Sequence, residues 1–181
     1  MNDRIRKLTF SALYLAVALV LPFVTGQIPE IGSMLLPMHI PVLLCGFVCG
    51  WQWGMAVGLA APVLRSLLFG MPAMYPTAIA MTFELAAYGA LTGLLYRLLP
   101  RRTWSVYAAL IPAMIGGRLV WGAARYILAG LSGSEFSPAL FLAGAVLDAL
   151  PGIILHLVLI PALVIVLERA GLTVNEKRTA R

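Results

Sequence analysis

Residues 36–54 read LPMHIPVLLCGFVCGWQWG, and this stretch decides how the rest of the chain is arranged. An apolar run follows two prolines and carries glycines at four-residue spacing, at Gly46, Gly50 and Gly54. Small residues at this spacing let helix backbones approach closely inside a membrane. As one helix, residues 40–69 would be about 45 Å long, whereas a hydrocarbon core is about 30 Å thick. The glycines, with two indoles between Gly50 and Gly54, therefore predict a hairpin of two helices.

The composition indicates a membrane protein. Of 181 residues, 61% are hydrophobic and 11% are charged, whereas about a quarter of a soluble domain is charged. A net charge of +6 would suggest nucleic acid in a soluble protein, but the basic residues flank apolar segments. We therefore expect membrane anchoring and no nucleic-acid partner. Cys45 and Cys49 favour small buried packing over a metal or redox pair, because no histidine or second cysteine pair accompanies them.

Hydropathy predicts an all-α, polytopic bundle of six transmembrane helices in a single domain over residues 1–181. The basic N-terminal start imitates a signal peptide, but the apolar run after it is long enough to span and lacks a small-residue cleavage pattern. It is therefore expected to be the first transmembrane helix. The predicted spans are residues 8–24, 39–50, 53–69, 77–99, 104–131 and 138–169.

The basic residues predict the orientation of the bundle. Segments 25–38, 70–76 and 132–137 contain no Lys or Arg, only Glu30 and Glu135. With six spans, all basic groups fall on one side, which the positive-inside rule makes cytoplasmic, so both termini are expected in the cytoplasm. A single span over residues 40–69 would put the basic group at Arg97, Arg101 and Arg102 outside, which is a further argument for the hairpin. The groups are Arg4, Arg6 and Lys7; Arg97, Arg101 and Arg102; and Arg169, Lys177, Arg178 and Arg181.

Five ionisable residues inside the predicted spans form the candidate site: Arg65, Glu84, Arg118, Arg125 and Asp148. Each costs about 2.5–3.5 kcal/mol at the centre of a membrane helix, so they are expected to face the interior, pair, or line water. Helical rise places Arg118 near the midplane and the other four in the outer half. They form either an outward-facing pocket for a small polar molecule or ion pairs, such as Arg65–Glu84 and Arg125–Asp148, that only fix packing. The excess positive charge favours an anionic ligand such as a carboxylate.

Aromatic and histidine side chains near these charges are further candidates. Trp121 shares a stripe of the fifth helix with two of the arginines, and Tyr88 shares a face of the fourth helix with the glutamate. His39 and Tyr75 are open to two roles, a ligand contact or a position at a helix end or membrane interface. His156, assigned to the cytoplasmic half, favours a satisfied core histidine over a proton relay.

Enzyme signatures are absent from the sequence: it has no Walker A loop, no HExxH and no Gly-x-Ser-x-Gly. We therefore expect neither catalysis nor a metal or other cofactor. Two alternatives to a binding subunit stay open. One is a small membrane enzyme in which Arg118, Asp148 and His156 act on a lipid or isoprenoid, and the other is a membrane assembly subunit without a small ligand.

The chain resembles, along essentially its whole length, the substrate-binding S components of energy-coupling factor (ECF) vitamin transporters. The predicted six-helix topology is similar. The segment GFVCGWQWG is similar to the family's Gly-x-x-x-Gly-Pro-x-x-Gly turn, with Trp51 in place of proline. Ala12-Leu-Tyr-Leu-Ala16 is similar to the family's Ala-x-x-x-Ala docking motif. Two alanines one turn apart form a flat strip for another helix, in a partner or in the same chain.

The resemblance implies a division of labour. Such a protein captures a vitamin or related micronutrient outside a bacterial plasma membrane and is not itself an enzyme. Through Ala12 and Ala16 it docks onto a transmembrane coupling subunit that carries two cytoplasmic ATPase subunits, and ATP use there tips it over to release the substrate inside. The resemblance also implies a pocket in the outer half, gated by residues 70–76 with Tyr75. Folate, pantothenate, riboflavin, pyridoxine and queuosine-precursor binders share the scaffold, and the arginines favour a carboxylate such as pantothenate or a folate.

Overall fold

The computed structural model describes residues 3–25, 34–100, 102–134 and 137–173. Several charges used to predict the orientation lie outside these ranges, namely Glu30, Arg101, Glu135, Lys177, Arg178 and Arg181. The described part of the chain forms seven α-helices: α1 Asp3–Val20, α2 His39–Cys49, α3 Trp51–Phe69, α4 Ile79–Leu98, α5 Thr103–Ser132, α6 Pro138–Leu142 and α7 Leu150–Arg169. A 3-10 turn, Leu21–Thr25, follows α1, and π-helical turns occupy Met74–Ala78 and Ala143–Leu147.

The predicted hairpin at the glycine-rich stretch is confirmed. α2 ends at Cys49 and α3 begins at Trp51. Gly50 between them has φ +98°, a conformation that glycine adopts without steric cost. The two helices fold back on each other, since a Cβ added to Gly54 would lie 2.7 Å from the Cα of Gly46.

The short helix α2 is the centre of the bundle. Ten of its eleven residues are buried, and it packs against α1, α3, α4 and α7. With eleven residues it is about 16 Å long, roughly half the thickness of a hydrocarbon core. The prediction of six spanning helices is therefore not confirmed. Within the described ranges, five segments are long and apolar enough to cross a membrane: Asp3–Val24, Trp51–Phe69, Met74–Leu98, Thr103–Ser132 and Leu150–Arg169.

Four glycines bring the backbones of α2, α3 and α4 into direct contact. A Cβ added to Gly89 would lie 2.2 Å from the carbonyl oxygen of Gly54, and one added to Gly46 would lie 2.6 Å from that of Gly89. A Cβ on Gly93 would lie 2.3 Å from the amide nitrogen of Trp51. Helices approach this closely only where no side chain separates them. We call Gly46, Gly54, Gly89 and Gly93 the glycine seam.

The start of α1 and the end of α7 lie at the same end of the bundle. Arg6 donates a hydrogen bond to the carbonyl of Gly171 at 3.3 Å, and the Tyr96 hydroxyl, near the end of α4, donates to the carboxylate of Glu168. We call this the termini end. At the opposite, far end, the rings of Phe23 and Phe69 meet edge to face at 5.0 Å. The cytoplasmic location of both termini stays a prediction.

The single span predicted over residues 138–169 is wrong. α6 stops at Leu142, a π-helical turn follows, and α7 starts at Leu150. Pro151 lies in the first turn of α7, where a missing N–H costs nothing. Because the helix is interrupted, depths counted along it from residue 138 do not apply.

Candidate functional site

Polar side chains from four helices meet in the middle of the bundle around Glu84. Glu84, on α4, is 1% exposed, and its Oε1 lies 2.9 Å from Arg118 Nη1 of α5 and 3.3 Å from His39 Nε2 of α2. The ring of Tyr88 meets His39 edge to face at 5.2 Å, and the ring of His156, on α7, stacks on His39 at 6.0 Å. We call these five residues the central polar cluster.

The shortness of α2 explains why these residues meet. His39 is the first residue of α2, so it lies about 16 Å from the termini end rather than at the bundle surface. Glu84 stands fourteen residues before the end of α4, about 21 Å from the same end. The predicted difference in depth between Glu84 and Arg118 is therefore wrong, because the two are in contact.

The central polar cluster contains more hydrogen-bonding groups than it uses. Six buried atoms have no hydrogen-bond partner among the described residues: both ring nitrogens of His39, Oε1 of Glu84, Nε and Nη2 of Arg118, and Nε2 of His156. The contacts of Glu84 are within ion-pair distance but are not aligned as hydrogen bonds. An unsatisfied buried polar group costs about 1–3 kcal/mol, and such groups in native proteins usually mark water, an ion or a ligand. The unsatisfied atoms of the cluster are the groups with which a bound water, ion or polar ligand would pair.

The chain leading into α2 covers the cluster on the side of α7. Leu36, 8% exposed, has φ +51°, a strained conformation for a leucine that occurs mainly at binding and switch sites. Its main chain hydrogen-bonds to the His156 imidazole. A Cβ on Gly152 would lie 2.5 Å from the carbonyl oxygen of Met34, so only glycine lets this cover lie so close to α7.

Sequence reasoning underestimated His156 and did not single out Leu36 as a site residue. Counting residues 138–169 as one helix places His156 in the cytoplasmic half, whereas the structure stacks its ring on that of His39. The available signal was the four-residue spacing of Gly152 and His156, which puts a small residue and an imidazole on one stripe of α7. No sequence pattern indicated a positive φ at Leu36.

The predicted stripe of α5 continues from the cluster. The guanidinium carbons of Arg118 and Arg125 each lie 6.0 Å from the centre of the Trp121 ring, a cation–π distance. On its other side Trp121 packs on the segment before α7, with its ring 6.2 Å from that of Phe141. The structure thus connects Trp121 and Arg125 to the cluster through Arg118.

Arg65 lies elsewhere, at the far end. It is 2% exposed, donates through Nη1 to the carbonyl of Leu19 at the end of α1, and lies 4.8 Å from the Phe23 ring and 5.3 Å from the Phe69 ring. The proposed Arg65–Glu84 pair is therefore not formed. This arginine caps α1, which has no basic residue in its own last turn.

Asp148 and Tyr75 lie outside the cluster. Asp148 is exposed at the break before α7. Among the described residues no ion pair joins it to Arg125, so the suggested Arg125–Asp148 pair is not formed. Tyr75, 45% exposed, donates a 2.6 Å hydrogen bond to the carbonyl of Leu128, which ties the α3–α4 connection to α5. That either residue contacts a substrate stays a prediction.

The first helix presents an apolar face away from the bundle. Ala12 and Ala16 are exposed, and Leu13 and Val17 beside them are 55% and 39% exposed. Packing of the two alanines within the bundle is therefore not what the structure shows. As for metals, no group of three His, Cys, Asp or Glu side chains that could hold an ion occurs within residues 3–25, 34–100, 102–134 and 137–173.

Apolar helices of spanning length around a buried polar cluster indicate an integral membrane protein. A family model described as ECF transporter, substrate-specific component, matches residues 6–164. The chain belongs to this family, whose members are binding subunits for transport. Comparison with curated proteins and with solved structures gave no match.

Proposed function

We propose that this protein captures a vitamin or related micronutrient outside a bacterial plasma membrane, for uptake driven by two ATPase subunits on a transmembrane coupling subunit. The observation that carries the proposal is the central polar cluster. Its unsatisfied buried atoms lie about half-way along helices of spanning length, for example at Glu84 and Arg118, and unpaired polar groups are costly inside a membrane. A bound solute would satisfy those groups, and family membership makes solute binding the expected use of them.

Access to the site from the far end is part of the proposal. The segment through Leu36 and the α3–α4 connection held by Tyr75 both lie between the cluster and that end of the bundle. The Tyr75 hydrogen bond to α5 is exposed, and exposed bonds of this kind contribute about 1 kcal/mol. Such a contact can break and re-form as a solute enters.

The exposed face of α1 supports docking on the coupling subunit through Ala12 and Ala16. Helix association in a membrane depends on close packing, which small residues permit. Two tryptophans at these positions would hold a partner helix several ångströms away. A matched control is available on α5, where Ile115 and Leu119 are also four residues apart and are 58% and 59% exposed.

Binding is tested by purifying the protein in mild detergent and identifying, by mass spectrometry after denaturation, any small molecule that it carries. We expect a stoichiometric micronutrient, and we expect coupling and ATPase subunits to copurify when they are co-expressed. A protein that carries no small molecule, and that no addition of cell extract stabilises against heat, would contradict the proposal.

Docking is tested with the double variant Ala12→Trp/Ala16→Trp. It should keep ligand binding and lose copurification and uptake, whereas Ile115→Trp/Leu119→Trp should keep all three. Uptake that survives in the α1 variant would remove the docking assignment.

The enzyme alternative receives less support from the geometry. It needs Arg118, Asp148 and His156 together, but Asp148 is exposed at the break before α7. The ligand-free assembly alternative leaves the orphan atoms of the cluster without a function.

A further inference from the structure

The arrangement of partners around Arg118 limits what the site can hold, if the proposed binding function is correct. Arg118 approaches Glu84 through Nη1 alone. Its Nε and Nη2 are buried and have no hydrogen-bond partner in the described part of the chain. These two nitrogens form one edge of the guanidinium, with two parallel N–H groups, which matches the two oxygens of a planar anion.

The charges of the cluster favour a carboxylate over a phosphate. Arg118 is the one residue of the central polar cluster with a permanent positive charge, and Glu84 lies against it. A phosphate ester carries about −1.5 to −2 charges at neutral pH, so beside Glu84 it would leave a larger unbalanced charge in the low-dielectric interior than a carboxylate would. A carboxylate carries one negative charge and still accepts two N–H groups.

The histidines indicate a second feature of the ligand. His39 Nε2 faces the carboxylate of Glu84 at 3.3 Å. In a neutral imidazole the negative charge of that carboxylate favours the tautomer with the proton on Nε2, in which Nδ1 is an acceptor. His156 pairs with the main chain of Leu36, and its Nε2 is the ring nitrogen that has no partner among the described residues. With the ring proton on Nδ1, Nε2 is an acceptor. Both free nitrogens are buried and without a partner among the described residues. The ligand must therefore bring hydrogen-bond donors as well as an acceptor pair.

We propose that the substrate is a carboxylic acid that also carries hydroxyl or amide N–H groups, with its carboxylate on the Nε–Nη2 edge of Arg118 and its donors on His39 Nδ1 and His156 Nε2. This assignment names the substrate class of the site proposed above and rests on that function. It excludes phosphorylated vitamins and solutes without a carboxylate.

The test uses the full-length protein, freed of bound molecules, and a small-molecule fraction of yeast extract divided into three portions. One portion is untreated, one has its carboxylates converted to amides with carbodiimide and ammonia, and one is treated with phosphatase. We expect the untreated and phosphatase-treated portions to raise the midpoint of thermal unfolding and the amidated portion to have no effect. In an amide, an NH₂ group replaces one carboxylate oxygen, so a donor rather than an acceptor faces one N–H of the Arg118 edge. Sites built to hydrogen-bond a substrate group reject analogues that cannot form that bond by about 10⁴-fold.

The outcomes separate the two claims. Stabilisation that survives amidation, or that phosphatase removes, overturns the carboxylate assignment and leaves the binding function standing. No stabilisation by the untreated portion contradicts the binding function itself, and the assignment falls with it.

Variants provide an independent measurement on the stabilising molecule once it is purified from the extract. Arg118→Lys keeps the charge and loses the planar edge, so binding should weaken about 100-fold or more while the ligand-free protein still unfolds cooperatively. His156→Gln keeps an acceptor near the Nε2 position and should bind within about tenfold of the natural protein, whereas His156→Leu should not bind. Equal binding by Arg118→Lys and the natural protein would overturn the proposal, as would equal binding by His156→Gln and His156→Leu.

Discussion

Replacing Arg118 by methionine tests the central polar cluster directly. The change removes the cation that lies 2.9 Å from Glu84 and leaves a carboxylate that is 1% exposed, with His39 as its remaining ion-pair partner among the described residues. Breaking one side of a buried ion pair costs about 3–5 kcal/mol. We therefore expect Arg118→Met to lower the free energy of unfolding by about 3 kcal/mol or more, which is roughly a 150-fold change in the unfolding equilibrium.

The double variant Glu84→Leu/Arg118→Met removes both charges, and replacing a buried pair by apolar side chains is often neutral or stabilising. Because the double variant also removes the Glu84 carboxylate that faces His39, its free energy of unfolding should fall by about 1–2 kcal/mol. The double variant should therefore be more stable than Arg118→Met alone, yet it should bind no ligand.

Unfolding by a denaturing detergent, followed by tryptophan fluorescence, is measured for the natural protein, Arg118→Met, Glu84→Leu and the double variant. Ile115→Met, at an exposed position of α5, is a control that should change little. If Arg118→Met and Glu84→Leu each cost less than about 1 kcal/mol and their effects simply add, the contact does not exist. If the double variant still binds the ligand, the cluster is packing and not a site.

Two further predictions concern the frame around the cluster. Gly89→Ala should abolish folding in the membrane, since its Cβ would lie 2.2 Å from the carbonyl oxygen of Gly54. The control Gly130→Ala, with no described atom within 4 Å of the added Cβ, should leave the yield of monodisperse protein unchanged. Equal yields of the two variants would refute the glycine seam. Arg65→Met should speed amide hydrogen exchange at the end of α1 about 30-fold, because it removes a charged hydrogen bond to Leu19 that contributes about 2 kcal/mol. Arg65→Lys should have a smaller effect. Exchange of Arg65→Met at the natural rate would show that Arg65 does not stabilise the end of α1.

The parts of the fold that depend on local sequence were predictable. The hairpin follows from Gly50 and its neighbours, and the ends of α3, α4 and α5 lie within a few residues of the hydropathy estimate. The break before α7 was missed, because residues 138–150 are apolar enough to continue a helix and hydropathy cannot distinguish an α-helix from a π-helical turn. The shortness of α2 was predictable, but its position inside a ring of four helices was not, since packing partners are non-local.

The candidate site was predictable in part. Intramembrane charge identified Glu84 and Arg118, and helical periodicity linked Tyr88 to the first and Trp121 to the second. Which charges pair was not predictable, because depth counted along ideal helices cannot represent a buried helix start or an interrupted span. His156 was misplaced for that reason, and Arg65 was grouped with the site although it serves the end of a neighbouring helix.

The glycine seam has a mechanical consequence. Where main chain rests on main chain there are no rotamers to rearrange, so the half of the bundle towards the termini end should behave as one stiff block. A solute can then be admitted by loosening the opposite half alone. A protein that binds to the stiff half, in contrast, would rotate the entire molecule as a rigid body rather than deform it.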